Sequence, residues 1–256
     1  MEPVYTPVIW VARALFAAEG LKFTVTGAEN IPASGGAVLM MNHLSYFDFA
    51  YAGLAADHSK RLVRFMCKDT VFDHKIGGPL MRGMHHIPVD RGAGASSFRA
   101  AVGALKAGEI VGVFPEATIS RAFELKDFKS GAIRMAQAAD VPLIPMAIWG
   151  SQRVWTKDHP KQLGRTKTPI TIRVGEPITV PPKADMAEVT DVLRERMTTM
   201  LHEVQQQYPD RPSDPAQAWW LPADMGGGAP TPEQAAQLDA DERQARARSR
   251  GADSAG

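Results

Sequence analysis

Cysteine is almost missing from this sequence: Cys67 is the single one in 256 residues. One thiol cannot close an internal disulfide, and it excludes the Cys-rich zinc and iron–sulfur sites, so the chain reads as reduced and intracellular. Long hydrophobic runs are missing too, none approaching the ~18–20 apolar residues that span a bilayer. The opening Met1-Glu2-Pro3 lacks the basic start of a secretory signal, and no small-residue cleavage site follows. A cytoplasmic protein is expected. Net charge is scarce: Lys+Arg 29 against Asp+Glu 28 gives +1, which argues against nucleic-acid binding on bulk charge. The balance is uneven, with 24 basic and 20 acidic residues in 1–209 and 5 and 8 in 210–256. That mild excess suits a small anionic substrate or an acidic membrane surface.

What is present is the composition of a globular chain, 45% hydrophobic and 22% charged, enough for one generous domain. Thr6 to Glu19 is apolar almost all round, which fits either a helix packed on the domain or one lying in a membrane interface. Leu21 to Thr26 alternates with the period of a strand, and Ala37 to Met41 is a short run of the kind buried on both faces. Further strands are predicted at Leu62–Cys67, His85–Val89, Ile110–Phe114, Leu143–Trp149 and Pro169–Gly175. Helices are predicted around Phe98–Leu105 (stopped by Gly108), at Gly131–Ala139 and from about Ala184 to Gln206. This alternation predicts an α/β domain, helices flanking a central sheet that is mainly parallel or mixed. Residues 209–256 turn to Pro, Gly, Ala and charge and are expected to form a largely disordered tail, with Trp219-Trp220 as a hydrophobic latch.

Several familiar signatures fail. There is no Gly-x-Ser-x-Gly elbow. Gly103 to Gly108 has P-loop spacing, but Glu109 stands where a Lys is needed, and Gly92 and Gly94 lack the third glycine of a dinucleotide fingerprint. His202-Glu203 has no second His. His85-His86 on a strand would point to opposite faces, so that pair reads as structural.

One constellation survives. Asn42-His43-Leu44-Ser45-Tyr46-Phe47-Asp48 follows a buried strand. Regular helix would set His43 and Asp48 about 140° apart at ~100° per residue, so they meet only if a turn intervenes and Asp48 sits in the next helix. A carboxylate on one imidazole nitrogen fixes the tautomer and raises the basicity of the other, as deprotonating a hydroxyl requires. Phe114-Pro115-Glu116-Ala117-Thr118-Ile119-Ser120-Arg121 follows another strand, and Ile87-Pro88-Val89-Asp90-Arg91-Gly92 places an arginine at a third. Ligands of open α/β sheets sit outside the carboxyl ends of strands, and an arginine fork suits a phosphate.

Together with the lead-in Gly27-Ala28-Glu29-Asn30-Ile31-Pro32 and the run Val141-Pro142-Leu143-Ile144-Pro145-Met146, these blocks resemble the PlsC-like glycerolipid acyltransferase family from about Gly27 to Pro177. The resemblance implies that His43 is the general base and Asp48 its orienting partner. A glycerol hydroxyl would attack an acyl thioester directly, without a covalent acyl-enzyme and with no metal or cofactor. It implies that Arg91, Glu116 and Thr118 hold the acceptor's glycerol phosphate, that Lys129 in Phe128-Lys129-Ser130-Gly131-Ala132 is a further phosphate ligand, and that Val141 to Ile148 borders the acyl path. Acyl-CoA or acyl carrier protein is the implied donor, and lysophosphatidic acid or a related lysophospholipid the acceptor. The implied site of action is the cytoplasmic face of a membrane, reached by a helix in residues 1–20. The third block departs from the family, with Ala117 for the usual Gly and Ile119 for the usual Arg. Arg121, two residues on in an extended segment, could supply the missing charge. The departure leaves open glycerol 3-phosphate, another lysolipid or a glycolipid as acceptor, or a non-catalytic lipid-binding protein on the same fold.

Overall fold

The computed structural model describes residues 2–90 and 94–253, with side chains described through residue 248. Arg91 lies outside the described residues. The first helix, α1 (Tyr5–Glu19), ends at Gly20, whose φ of 72° closes it in the left-handed conformation. It is followed by β1 (Lys22–Thr26), β2 (Ala37–Met41), α2 (Asp48–Asp57), β3 (Val63–Lys68), α3 (Gly77–Gly83), β4 (Ile87–Val89), α4 (Gly94–Lys106) and β5 (Ile110–Val113). Then come α5 (Gly131–Ala139), β6 (Leu143–Trp149), β7 (Pro169–Val174), α6 (Met186–Gln206) and α7 (Pro232–Asp253).

The seven strands form one sheet in the order β1-β7-β6-β2-β5-β3-β4. Every neighbouring pair is parallel except β6 and β7. β2, paired with β6 on one side and β5 on the other, is buried at all five positions, and so is β6 at all seven. Unbroken apolar runs are what a strand covered on both faces needs. Gly27, in the turn after β1, has φ 72°, and a Cβ there would lie 2.0 Å from the Val174 carbonyl oxygen. A tight turn against a neighbouring backbone therefore demands glycine at this point.

α1 packs on the domain along one face and is exposed along another. Phe16 packs into the core, its ring 5.1 Å from Tyr51, and Tyr5 donates its hydroxyl to the Val63 carbonyl at 2.8 Å. Trp10, Val11 and Leu15 stand exposed, Trp10 at 72%. α6 begins at its N-cap, Asp185, whose carboxylate accepts the Ala187 amide. Leu193, Met197, Leu201 and Val204 of α6 are buried, and Val192 is exposed.

Two expectations need correction, and one helix was not foreseen. The strand read from His85 begins at Ile87, because His85 turns at φ 57°. α3, interrupted by glycines and a proline, gave no helical period and was not predicted. The tail read as disordered is ordered as far as Asp253: Ser120–Lys126 and the chain from Arg211 onward make up a separate compact unit. Within it Asp239 on α7 is ion-paired with both Arg121 and Lys126, and the rings of Trp219 and Phe123 meet edge to face at 6.2 Å. Composition alone missed this because the tail's charges find partners in a short segment far away in sequence.

Candidate active site

The site is built where β2, β5 and β3 end side by side. Met40 pairs with Val113 in the β2–β5 register, so His43 and Glu116 each stand three residues beyond a matched pair. Asn42 finishes β2 by replacing a ladder peptide with its side chain. Its Nδ2 donates to the Ile148 carbonyl at 2.9 Å and its Oδ1 accepts the Ile148 amide at 2.7 Å. The chain then leaves the sheet in a turn. Ser45 Oγ donates to the Trp155 carbonyl at 2.7 Å and accepts the Phe47 amide at 3.1 Å. Thr156 Oγ1 donates to the Leu44 carbonyl at 2.6 Å.

Asp48 opens α2 and is fully buried. Its Oδ2 accepts the amides of Leu44 at 2.6 Å and Ser45 at 2.7 Å, and lies 3.0 Å from His43 Nδ1. Placed at the helix N-terminus, its charge also faces the positive end of the α2 dipole. With Oδ2 as acceptor, the ring proton sits on Nδ1 and Nε2 keeps its lone pair. The turn that sequence spacing demanded is therefore present. The imidazole is stacked on Phe114, ring centres 4.0 Å apart, and its side chain is 20% exposed. The His43 backbone amide donates to Glu116 Oε1 at 2.9 Å.

The third block turns at Ala117, whose φ is 60° and whose amide donates to the Phe114 carbonyl at 3.1 Å. A left-handed turn explains why the resembled family has glycine here. The Pro115 carbonyl accepts the Lys129 amide at 2.9 Å, bringing Lys129 beside the turn. His43 and Lys129 line one cavity of about 550 Å³. Its walls are mostly apolar, among them Phe49, Phe65, Val71, Met81 and Met135, and Lys68 lies on its lining. His86 is also in the wall, and its Nδ1 accepts the Phe65 amide at 3.1 Å. Burial, helped by the nearby Arg64 charge, pushes its imidazole down to about 4, so it is neutral. Burial pushes the Cys67 thiol up to about 11, so that wall is uncharged as well.

The predicted residues are brought together only in part. His43, Asp48, Glu116 and Lys129 converge. Thr118 is half-buried and outside the cavity lining. Of Val141 to Ile148, expected to border the acyl path, Leu143 to Ile148 belong to the buried sheet, and β3, β5, α3 and α5 supply walls of the cavity instead. Arg121, expected to replace the arginine missing at the buried Ile119, is itself buried, with Asp239 and Glu242 on its guanidinium. Two carboxylates cancel the charge that a phosphate would seek. Lys68 was missed. A lysine closing a strand at the carboxyl edge of an α/β sheet was the available signal. A larger cleft of about 770 Å³ between β7 and α6 contains none of the predicted residues.

The chain matches known proteins along this same stretch. A family model described as Acyltransferase covers residues 22–149, half of its length. A 1-acyl-sn-glycerol-3-phosphate acyltransferase of Bacillus subtilis is 31% identical over 189 residues, spanning 71% of this chain and 89% of that protein. One from Borreliella burgdorferi is 26% identical over 192 residues, spanning 72% and 70%. The crystal structure of the 1-acyl-sn-glycerophosphate acyltransferase PlsC from Thermotoga maritima has the same fold, with a TM-score of 0.61 at 20% identity over 82% of this chain and 86% of that one. The His-turn-Asp loop thus stands on a shared fold and within a shared sequence block, and the chain belongs to the PlsC-like acyltransferase family and is an O-acyltransferase.

Proposed function

We propose that the protein transfers a fatty acyl group from a thioester donor, acyl-CoA or acyl carrier protein, to the free hydroxyl of lysophosphatidic acid. The observation that carries this reading is the 3.0 Å contact of His43 Nδ1 with Asp48, with the ring facing an apolar cavity that has lysines on its lining. His43 Nε2 takes the proton of the acceptor hydroxyl as its oxygen attacks the thioester carbonyl carbon. The tetrahedral intermediate collapses, the carbon–sulfur bond breaks, and the imidazolium returns the proton to the departing thiolate. Asp48 keeps the ring in the right tautomer and stabilises its charged form. Lys68 and Lys129 supply positive charge for the acceptor's phosphate, and the apolar walls take an acyl chain. The names of the Bacillus and Borreliella relatives support the acceptor.

The exposed Trp10, Val11 and Leu15 of α1 support action at a membrane surface. Among the described residues no helix is long and apolar enough to cross a membrane. The departures at Ala117 and Ile119 favour testing neighbouring acceptors in the same assay. Thiol release from palmitoyl-CoA is measured with lysophosphatidic acid, glycerol 3-phosphate, other lysophospholipids and a glycolipid, for the parent and His43→Ala. Release that needs lysophosphatidic acid and falls by about 10²–10⁴ in the variant is expected. Near-normal turnover by folded His43→Ala protein overturns the mechanism. A preference for an acceptor without phosphate overturns the substrate.

A further inference from the structure

The connection from β6 to β7 runs from Gly150 to Thr168, far longer than the roughly 2–6 residues usual between elements. It carries Arg153, Lys157, Lys161, Arg165 and Lys167 against one acid, Asp158. That surplus of four equals the whole positive excess of residues 1–209, so elsewhere in those residues the charges balance. Arg153 is held by Asp210 at 2.5 Å. Lys161, Arg165 and Lys167 form no ion pair among the described residues, and 161–167 is exposed throughout.

The loop is also fastened to the catalytic turn. The Trp155 carbonyl accepts both Ser45 Oγ and the Tyr46 amide. The Trp155 ring lies 4.7 Å from that of Tyr46, and Lys161 Nζ stands 4.0 Å over Trp155. Two ring contacts therefore lead from Lys161 to Tyr46, which lines the cavity beside His43.

We infer that this loop docks the phosphates of a coenzyme A thioester, an inference that rests on the acyl-transfer reading above and names its donor. With the acyl chain in the apolar cavity and the thioester at His43, the donor's polar arm must leave past the catalytic turn. There it meets Lys161 first, and Arg165 and Lys167 stand further along the loop, beside Gly20 at the end of α1. Coenzyme A ends in a pyrophosphate and a 3′-phosphate, which such side chains bind by charge-assisted hydrogen bonds.

The test is the full-length Lys161→Glu/Arg165→Glu/Lys167→Glu variant, assayed with palmitoyl-CoA and with palmitoyl-phosphopantetheine, which has the same arm but no nucleotide. KM for palmitoyl-CoA should rise about ten- to a hundredfold, with kcat and the KM for the nucleotide-free donor unchanged. Salt should raise the parent's KM for palmitoyl-CoA and barely move the variant's. Calorimetric titration with free coenzyme A should show the same loss of affinity without any turnover. Coenzyme A that binds through the loop in a protein that transfers no acyl group sinks the acyl-transfer reading and leaves the loop assignment standing. The inference is overturned if the variant's KM for palmitoyl-CoA is unchanged, or if both donors suffer equally. It is overturned as well if the variant loses only sedimentation with anionic liposomes, or only activity with acyl carrier protein.

Discussion

The backbone amide of His43 donates to the carboxylate of Glu116, 73 residues away, at 2.9 Å. The bond ties the loop after β2 to the loop after β5, two segments that the sequence offers only as separate motifs. A positioning role is expected of Glu116. Glu116→Ala should leave this part-buried amide without its carboxylate acceptor, at a cost of about 0.5–1.5 kcal/mol. kcat should fall with little change in acceptor KM, and Glu116→Gln, which keeps an oxygen acceptor, should recover most of it. If instead the acceptor KM rises in both variants, Glu116 touches the acceptor itself.

Ala117 holds a left-handed conformation at φ 60°. An L-residue there pays about 1–2 kcal/mol, and glycine gives back about 0.4–1 kcal/mol through the unfolded chain. Ala117→Gly should therefore stabilise the protein by about 0.5–1 kcal/mol in denaturant titrations, with turnover at least maintained. A loss of stability would mean that the turn is not strained.

His86 should make the protein acid-sensitive. Its folded value of about 4 lies below the ordinary 6.5, so between these values the unfolded chain binds the extra proton. Stability is then full above the unfolded value and falls as pH drops from about 6.5 towards 4, by an amount on the order of 3 kcal/mol. His86→Asn keeps an acceptor for the Phe65 amide and should flatten that slope, whatever its effect on stability at pH 7. An unchanged slope between pH 4 and 6.5 would place the sensitivity elsewhere.

Arg121 and the cavity lysines should separate cleanly. Arg121→Ala leaves Asp239 and Glu242 without this cation, a loss of about 3–5 kcal/mol for a buried pair. The α7 unit should become protease-sensitive while acceptor KM stays near the parent's. Lys68→Ala and Lys129→Ala should do the reverse, raising acceptor KM about ten- to a hundredfold with little effect on melting. Arg121→Ala protein that is stable but has a weakened acceptor KM would restore Arg121 to the phosphate.

All seven strands were legible in the sequence because each is short, apolar or alternating, and punctuated by Gly, Pro or charge. The His43–Asp48 pairing was legible too, since spacing left a turn as the only way for them to meet. Local pattern has no view of what lies across the sheet. It could not show that β5 and β3 lie between β2 and β4, which brings Lys68 and His43 onto one cavity and the Glu116 carboxylate onto the His43 amide. Nor could it show that α7 would take up the charge of Arg121. The sequence by itself determined the alternating elements, the turn that joins His43 to Asp48, and the family. Strand order and long-range ion pairing, which depend on contacts between distant residues, decided which cations line the cavity and which are buried as structure.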